Sequence, residues 1–358
     1  MDTSETFQVQ FKGNAQTYFG IWIVNLLLTI VTFGIYSAWA KVRTKKYFAQ
    51  NTSIDGRRFD YHATGKQILI GRLIVGGGYI AMNVLFSIAP IVGGALFVAF
   101  MFAVPYLINR SIAFNARMTS FSGIRFGFTG SYWRAVLVYF VYPFLSLLTL
   151  YLTMPFVSRA QHRYYVSRHR YGTAQFAFDS KVGPFYKAFL LAVAWVVGIS
   201  VVGIVVVAAM IFGSPAVMLD LLSAEADGND LGIGHIIGMG LFSVLILIAI
   251  LPAGYIYQAY LRNAVYAGAS VAGGHSFTSV VKPAKLLWIA LSNAAIVVVT
   301  IGLMHPWARV RMARYMAAST YITVEGSMDG IVGEEQEKVS ALGDAFTDFE
   351  GIDVDFAL

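Results

Sequence analysis

The chain carries 26 lysines and arginines, yet residues 73–109 and 188–261 contain none. Both of these stretches are strongly apolar. In a membrane protein, Lys and Arg collect on the cytoplasmic side. Each stretch is therefore expected to cross a bilayer and return, with the rest of the chain facing the cytoplasm or dipping in from it. Composition agrees: hydrophobic residues make up 57% and charged residues 13%, against roughly 45–50% and about 25% in soluble domains.

Seven apolar segments stand out, at residues 18–40, 68–89, 91–114, 133–157, 188–212, 235–261 and 286–307. If all seven span, sides must alternate. The connection with Arg110, Arg117 and Arg125 would then lie opposite the one with Arg159, Arg163, Arg168, Arg170 and Lys181. The acidic loop around Asp220, Glu225, Asp227 and Asp230 would fall in the cytoplasm. Both outcomes offend the positive-inside bias. The conflict disappears if 18–40, 133–157 and 286–307 are re-entrant or in-plane, which leaves two spanning helical hairpins. Non-helical backbone at a re-entrant tip is tolerated only where protein or water covers it. The expected tips are Thr32-Phe33-Gly34 and Tyr142-Pro143. Seven ordinary spans are the competing reading.

The chain also repeats itself. Gly34 to Arg43 reads GIYSAWAKVR and Gly302 to Arg311 reads GLMHPWARVR, each continuing to a tyrosine, Tyr47 and Tyr315. A looser copy holds Pro155-Phe156, Arg159, Arg163 and Tyr164. Trp39 to Phe156, Tyr47 to Tyr164 and Phe59 to Phe176 share an offset of 117, while Phe156 to Trp307 and Tyr164 to Tyr315 share 151. Alternating stretches follow, such as Phe7–Phe11, Phe59–Tyr61, Phe126–Phe128, Phe176–Phe178 and Tyr321–Val324. Period-two alternation predicts short strands, which need one another to be stable in water. The expected fold is thus an all-α polytopic membrane protein with internal repeats and small cytoplasmic β elements. Its membrane domain covers residues 1–324, with repeats near 5–123 and 124–273 and a partial copy at 274–324. Residues 325–358 hold 10 acidic residues and one basic residue, and are expected to form a disordered cytoplasmic tail.

The block Gly34-Ile35-Tyr36, Trp39-Ala40-Lys41-Val42-Arg43-Thr44-Lys45-Lys46-Tyr47-Phe48, followed by Asp55-Gly56 and Phe59-Asp60-Tyr61-His62-Ala63-Thr64-Gly65, resembles the YjgN family of bacterial inner-membrane proteins. The likeness covers most of residues 5–325. The second copy departs from it: Phe156 replaces the tryptophan, and Ala160 stands where Arg43 would be. The resemblance implies a multi-pass inner-membrane location and an architecture. It carries no activity, so no functional residue transfers with it.

The aromatic-basic blocks carry what chemistry there is. Trp39 and Trp307 suit a membrane interface, because the indole ring is apolar while its N–H wants water. Lys41, Arg43, Lys45 and Lys46 follow the first tryptophan, Arg309, Arg311 and Arg314 the second, and Arg159 and Arg163 the intermediate copy. A cationic helix there can contact anionic phospholipid headgroups, or simply anchor and orient the chain. No Asp or Glu lies inside an apolar segment, which counts against ion-coupled pumping. Asn25, Asn83 and Asn293 are expected to bond between helices. His62, His162, His169, His235, His275 and His305 show no metal spacing, and the chain has no cysteine. Glycine clusters at 76–78 and 93–94, and the spacing of Gly232, Gly234, Gly238 and Gly240, suggest close helix packing. Residues 1–17 lack the features of a cleavable signal peptide.

The expected protein has both termini in the cytoplasm and needs no cofactor, metal or nucleic acid. It is expected to have no enzymatic activity, for want of an acid, base and nucleophile constellation. The leading expectation is a membrane scaffold or a protein interacting with anionic lipids. The alternative is a channel or transporter for a small solute or lipid, since repeats and broken helices recur in transporters.

Overall fold

The computed structural model describes residues 4–213 and 233–350. The acidic loop expected around Asp220–Asp230, Gly232 and the end of the tail lie outside these residues. The chain divides into two compact units. One comprises Met1–Ser180, Val265–Val280 and Ile289–Leu358; the other comprises Lys181–Ala264 and Val281–Trp288.

Among the described residues, four segments are long and apolar enough to cross a membrane: Gly65–Ile88, Pro90–Met118, Gly183–Val206 and Leu245–Ala267. Their apolar side chains point outward. Leu73 is 63% exposed and Ile91 is 90% exposed, which in water would be an aggregating surface and in lipid is solvation. The first of them, α3 (Gly65–Ile88), begins at a capping box in which Thr64 and Gln67 bond reciprocally, satisfying two backbone donors that the helix cannot. The next, α4 (Pro90–Met118), opens on proline, whose missing N–H costs nothing at a first turn. Gly93 of α4 packs on the backbone of Phe86. Gly76, Gly77 and Gly78 have no neighbour where a Cβ would stand, so the expected close packing holds at Gly93 and not at the triplet.

Three helical hairpins accompany the spans. The first joins α1 (Ala15–Val31) to α2 (Ser37–Gln50). The second runs through α5 (Tyr132–Val136), a π-helical turn Leu137–Val141 and α6 (Tyr142–Leu148), then returns as α7 (Met154–Ser167). The third joins α10 (Pro283–Val299) to α11 (His305–Ala318), after α8 (Gly183–Gly213) and α9 (Ile233–Ala267). All three turns close alike. The N–H groups of Gly34, Tyr151 and Gly302 donate to Thr29, Ser146 and Val297 five residues back, the long bond of a left-handed helix end. Thr32, Thr149 and Thr300 each donate a hydroxyl to the preceding helix and accept the N–H of Tyr36, Thr153 or Met304. The turn at Thr32-Phe33-Gly34 lies where it is expected. Tyr142-Pro143 does not form a turn: the π-helical widening absorbs that proline at a helix start, and the chain reverses at Thr149–Thr153.

The fold is not all-α. Eleven strands form one antiparallel sheet in the order β1-β11-β10-β9-β8-β7-β6-β5-β4-β3-β2. They are β1 (Ser4–Gln8), β2 (Gln10–Phe11), β3 (Thr52–Ile54), β4 (Arg57–Tyr61), β5 (Thr119–Phe121), β6 (Ile124–Phe128), β7 (His169–Tyr171), β8 (Ala174–Phe178), β9 (Ala269–Val271), β10 (His275–Ser279) and β11 (Thr320–Glu325). The two edge strands, β1 and β2, are separated in sequence only by Val9, so the sheet curls round until its edges meet at that residue. Two-residue turns with left-handed backbone at Asp55-Gly56 and Ser122-Gly123 match the twist of their hairpins. Every alternating aromatic stretch read from the sequence lies in this ring. Phe7, Ile54, Phe59, Phe121, Phe126, Tyr171, Phe176 and Val324 converge on one cluster.

The tail also departs from expectation. Residues from Met328 form a helix, α12 (Met328–Glu350). Met328, Ile331 and Val332 join the aromatic cluster of the ring, and Arg57 pairs with Asp329. Acidic composition suggested disorder, but the apolar residues at 328, 331 and 332 share one helical face and bury it.

Candidate basic membrane face

The basic side chains sit on α2, α7 and α11, the returning arms of the hairpins. The structure separates those that bond or stack on other residues from those that do not, although Arg43, Arg309 and Arg314 are themselves exposed. Arg43 donates to the Tyr36 hydroxyl at 3.0 Å. Lys45 donates to Asn115 of α4 and lies 4.9 Å from the Tyr61 ring centre. Burial, and then the charge of Lys41, push its ammonium below the ordinary lysine range. Arg159 donates to the Ser180 carbonyl. Arg309 lies over Phe48 at 5.1 Å, and Arg314 donates to the Gly13 carbonyl at 3.2 Å. Arg311 reaches Ser292 and Asn293 at 2.7 and 3.0 Å and sits over Trp307. Asn293 in turn donates to Ala308 at 3.0 Å, tying the two arms of the third hairpin together.

Lys41, Lys46 and Arg163 remain exposed. Trp39 does more than mark an interface: it stacks near Tyr36, and a Cβ at Gly65 would come within 2.4 Å of its ring. Glycine at that position lets the first hairpin lie against the start of the first span. Asn25 occupies the position equivalent to Asn293, is 5% exposed, and has neither amide atom partnered.

Sequence reasoning named Arg163 but missed the group it joins. Arg134, Arg163 and Arg168 line one cavity of about 530 Å³ with Leu137, Tyr142 and Ala160. The only signal in the sequence was the departure at Ala160. No group of metal-ligating side chains occurs among the described residues.

The family model described as "Bacterial protein of unknown function (DUF898)" matches residues 6–349. The "Inner membrane protein YjgN" of Salmonella typhimurium is 27% identical over 365 residues, covering 92% of this chain and 91% of that protein. The chain belongs to the YjgN family. Proteins of the same name from Escherichia coli O157:H7 and strain K12 match shorter parts, at 34% and 35% identity over 38% and 34% of this chain, and 34% and 31% of theirs. No solved structure matches significantly. Family membership and the outward-facing apolar helices make this a membrane protein.

Proposed function

We propose that this YjgN-family protein is a non-enzymatic scaffold of the bacterial inner membrane that engages anionic phospholipids through the basic arms of its hairpins. In this reading the four long helices span, the three hairpins enter and leave on one side, and the ring of strands and both termini face the cytoplasm. The observation that carries it is the placement of charge. The basic arms α2, α7 and α11 lead from apolar turns back to the sheet, and the described parts of both basic-free stretches lie in the long helices. Cytoplasmic leaflets carry anionic lipid, which attracts about 1 kcal/mol per basic residue near the surface.

Arg43, Lys45 and Arg311 have partners within the protein, so the charges of Lys41 and Lys46 are the ones to test. Lys41→Gln/Lys46→Gln should insert and fold as before but lose about 2 kcal/mol of surface attraction before screening. Native mass spectrometry should find less phosphatidylglycerol or cardiolipin retained. Equal retention at matched folding would leave these residues a role in orientation alone. A transport reading draws on one observation, the unpartnered Asn25 amide buried in the first hairpin. A polar group so placed is where water or solute would pass.

A further inference from the structure

The second hairpin differs from the third at one interior point. In the third hairpin Arg311 fills the space between the arms, bonded to Ser292 and Asn293. At the offset of 151, the second hairpin places Ala160, Val141 and Tyr142 at these positions. An arginine and its amide partner are thus replaced by a methyl group and a ring. A cavity of about 530 Å³ lies at this point, and Ala160 and Tyr142 are among its lining residues. That size suits a small ligand or headgroup.

The helix wall beside it is altered as well. Leu137–Val141 is a π-helical turn, and its Val138 carbonyl accepts the Gln161 amide at 3.0 Å. Single π turns often mark functional sites.

The lining has polarity. Arg134, Arg163 and Arg168, with Ser167 and Gln175, lie toward the strand end of the hairpin. Leu137, Val138, Tyr142 and Ala160 lie further along toward the tip. Eight residues separate Arg134 from Tyr142, a rise of about 12 Å. Two of the arginines have no basic counterpart in the first hairpin, where Thr17 and Asn51 stand at the offset of 117. Among the described residues, no carboxylate lies in ion-pair range of these three guanidinium groups. Arg134 and Arg163 are exposed and Arg168 is partly buried, so three guanidinium groups without a counter-charge are within reach of an anion entering the cavity, and arginine matches phosphate oxygens by paired donors.

We propose that this cavity holds the phosphate-bearing headgroup of an anionic phospholipid, with the arginines on the phosphate and the Leu137–Tyr142 wall along the start of the acyl chains. The proposal rests on the anionic-lipid reading above and gives it one defined site. The test uses the full chain in detergent, titrated with phosphatidylglycerol or phosphatidylethanolamine and read by native mass spectrometry. Wild type should retain phosphatidylglycerol preferentially. Arg134→Gln/Arg163→Gln/Arg168→Gln should lower that retention at least about tenfold, with the thermal midpoint little changed. Ala160→Leu, which fills the cavity and keeps every charge, should lower it too. If Lys41→Gln/Lys46→Gln loses the lipid while the cavity variants keep it, the cavity assignment falls and the surface reading stands. If every variant keeps it, both fall. Thermal stabilisation of wild type by millimolar inorganic phosphate as strong as by phosphatidylglycerol would overturn the lipid assignment in favour of a soluble anion.

Discussion

Tyr151 occupies a position that costs energy. Its φ is 63°, where the matching residues of the other two hairpins are Gly34 and Gly302 at 89° and 88°. A side chain in left-handed backbone costs about 1–2 kcal/mol, and glycine removes that cost. Tyr151→Gly is therefore expected to raise the thermal midpoint of the detergent-solubilised protein, by an amount on the order of 1 kcal/mol of stability. A lower midpoint would mean that the tyrosine ring, half exposed at the turn, holds the hairpin by contacts worth more than the strain. The signal for this position was already in the sequence, in the alignment of Tyr151 with two glycines. What the sequence did not reveal is that Thr32, Thr149 and Thr300 tie each turn, because a lone threonine at a helix end has many possible partners.

At the scale of elements, length divides the helices into two kinds. The 17 residues of α1 rise about 26 Å, short of the roughly 30 Å hydrocarbon core. After that the chain reverses through a closed turn whose leading side chain is bare. Phe33 is 97% exposed, Leu150 84% and Ile301 94%. An apolar tip with its backbone groups satisfied internally is suited to end within lipid. The chain has no native cysteine, so single introduced cysteines report cleanly. Ser180 is buried and would report poorly, whereas its neighbour Asp179 is exposed. In intact cells, a membrane-impermeant thiol reagent is expected to leave both Asp179→Cys and Leu150→Cys unlabelled. External labelling of Leu150→Cys would mean that the second hairpin crosses, and the re-entrant arrangement would have to be abandoned.

At the scale of the molecule, the strand ring and its helix α12 are joined through ionisable groups. The Glu335 carboxylate accepts from the Thr173 N–H at 2.8 Å, the Thr173 hydroxyl at 2.9 Å and the Ala174 N–H at 3.3 Å. Burial alone would raise its pKa, but the Thr173 bonds and Lys338 outweigh burial and hold the carboxyl below its ordinary value. His275 is buried beside it, its Nδ1 accepting the Glu325 N–H. Burial depresses its pKa against the opposing pull of Glu325 and Glu334. Both groups bind protons more weakly folded than unfolded, so each contributes stability that is present above its ordinary pKa and lost as pH falls through its depressed one. The docking of α12 should therefore weaken from the ordinary histidine range down through the carboxylate range. Hydrogen-exchange protection factors over residues 328–341, each taken against the intrinsic rate at the same pH, should be lower near pH 4 than at neutral pH. Glu335→Gln should exchange faster at neutral pH and respond less to acid. An unchanged acid response in Glu335→Gln would place the sensitivity elsewhere, His275 being the next group to replace.

The sequence by itself determined that this is a membrane protein, where its apolar segments lie and where the alternating aromatic strands β1, β2, β4, β6, β8 and β11 fall, but not β3, β5, β7, β9 and β10 or any pairing. Those properties come from composition and short-range periodicity, summed over many residues. Lys and Arg placement likewise set four long apolar helices apart from three shorter ones among the described residues. Tertiary structure decided what depends on residues far apart. The sheet closes only because β1 pairs with β11, bringing Ser4 opposite Glu325 across the length of the chain. The acidic tail becomes an ordered helix only because an aromatic ring interior is there to receive Met328 and Val332. Whether a basic residue is free or engaged was not legible either, since Lys45 and Lys46 are neighbours in sequence and their fates differ. A helix turns adjacent side chains by about 100°, which set Lys45 against Asn115 and left Lys46 exposed.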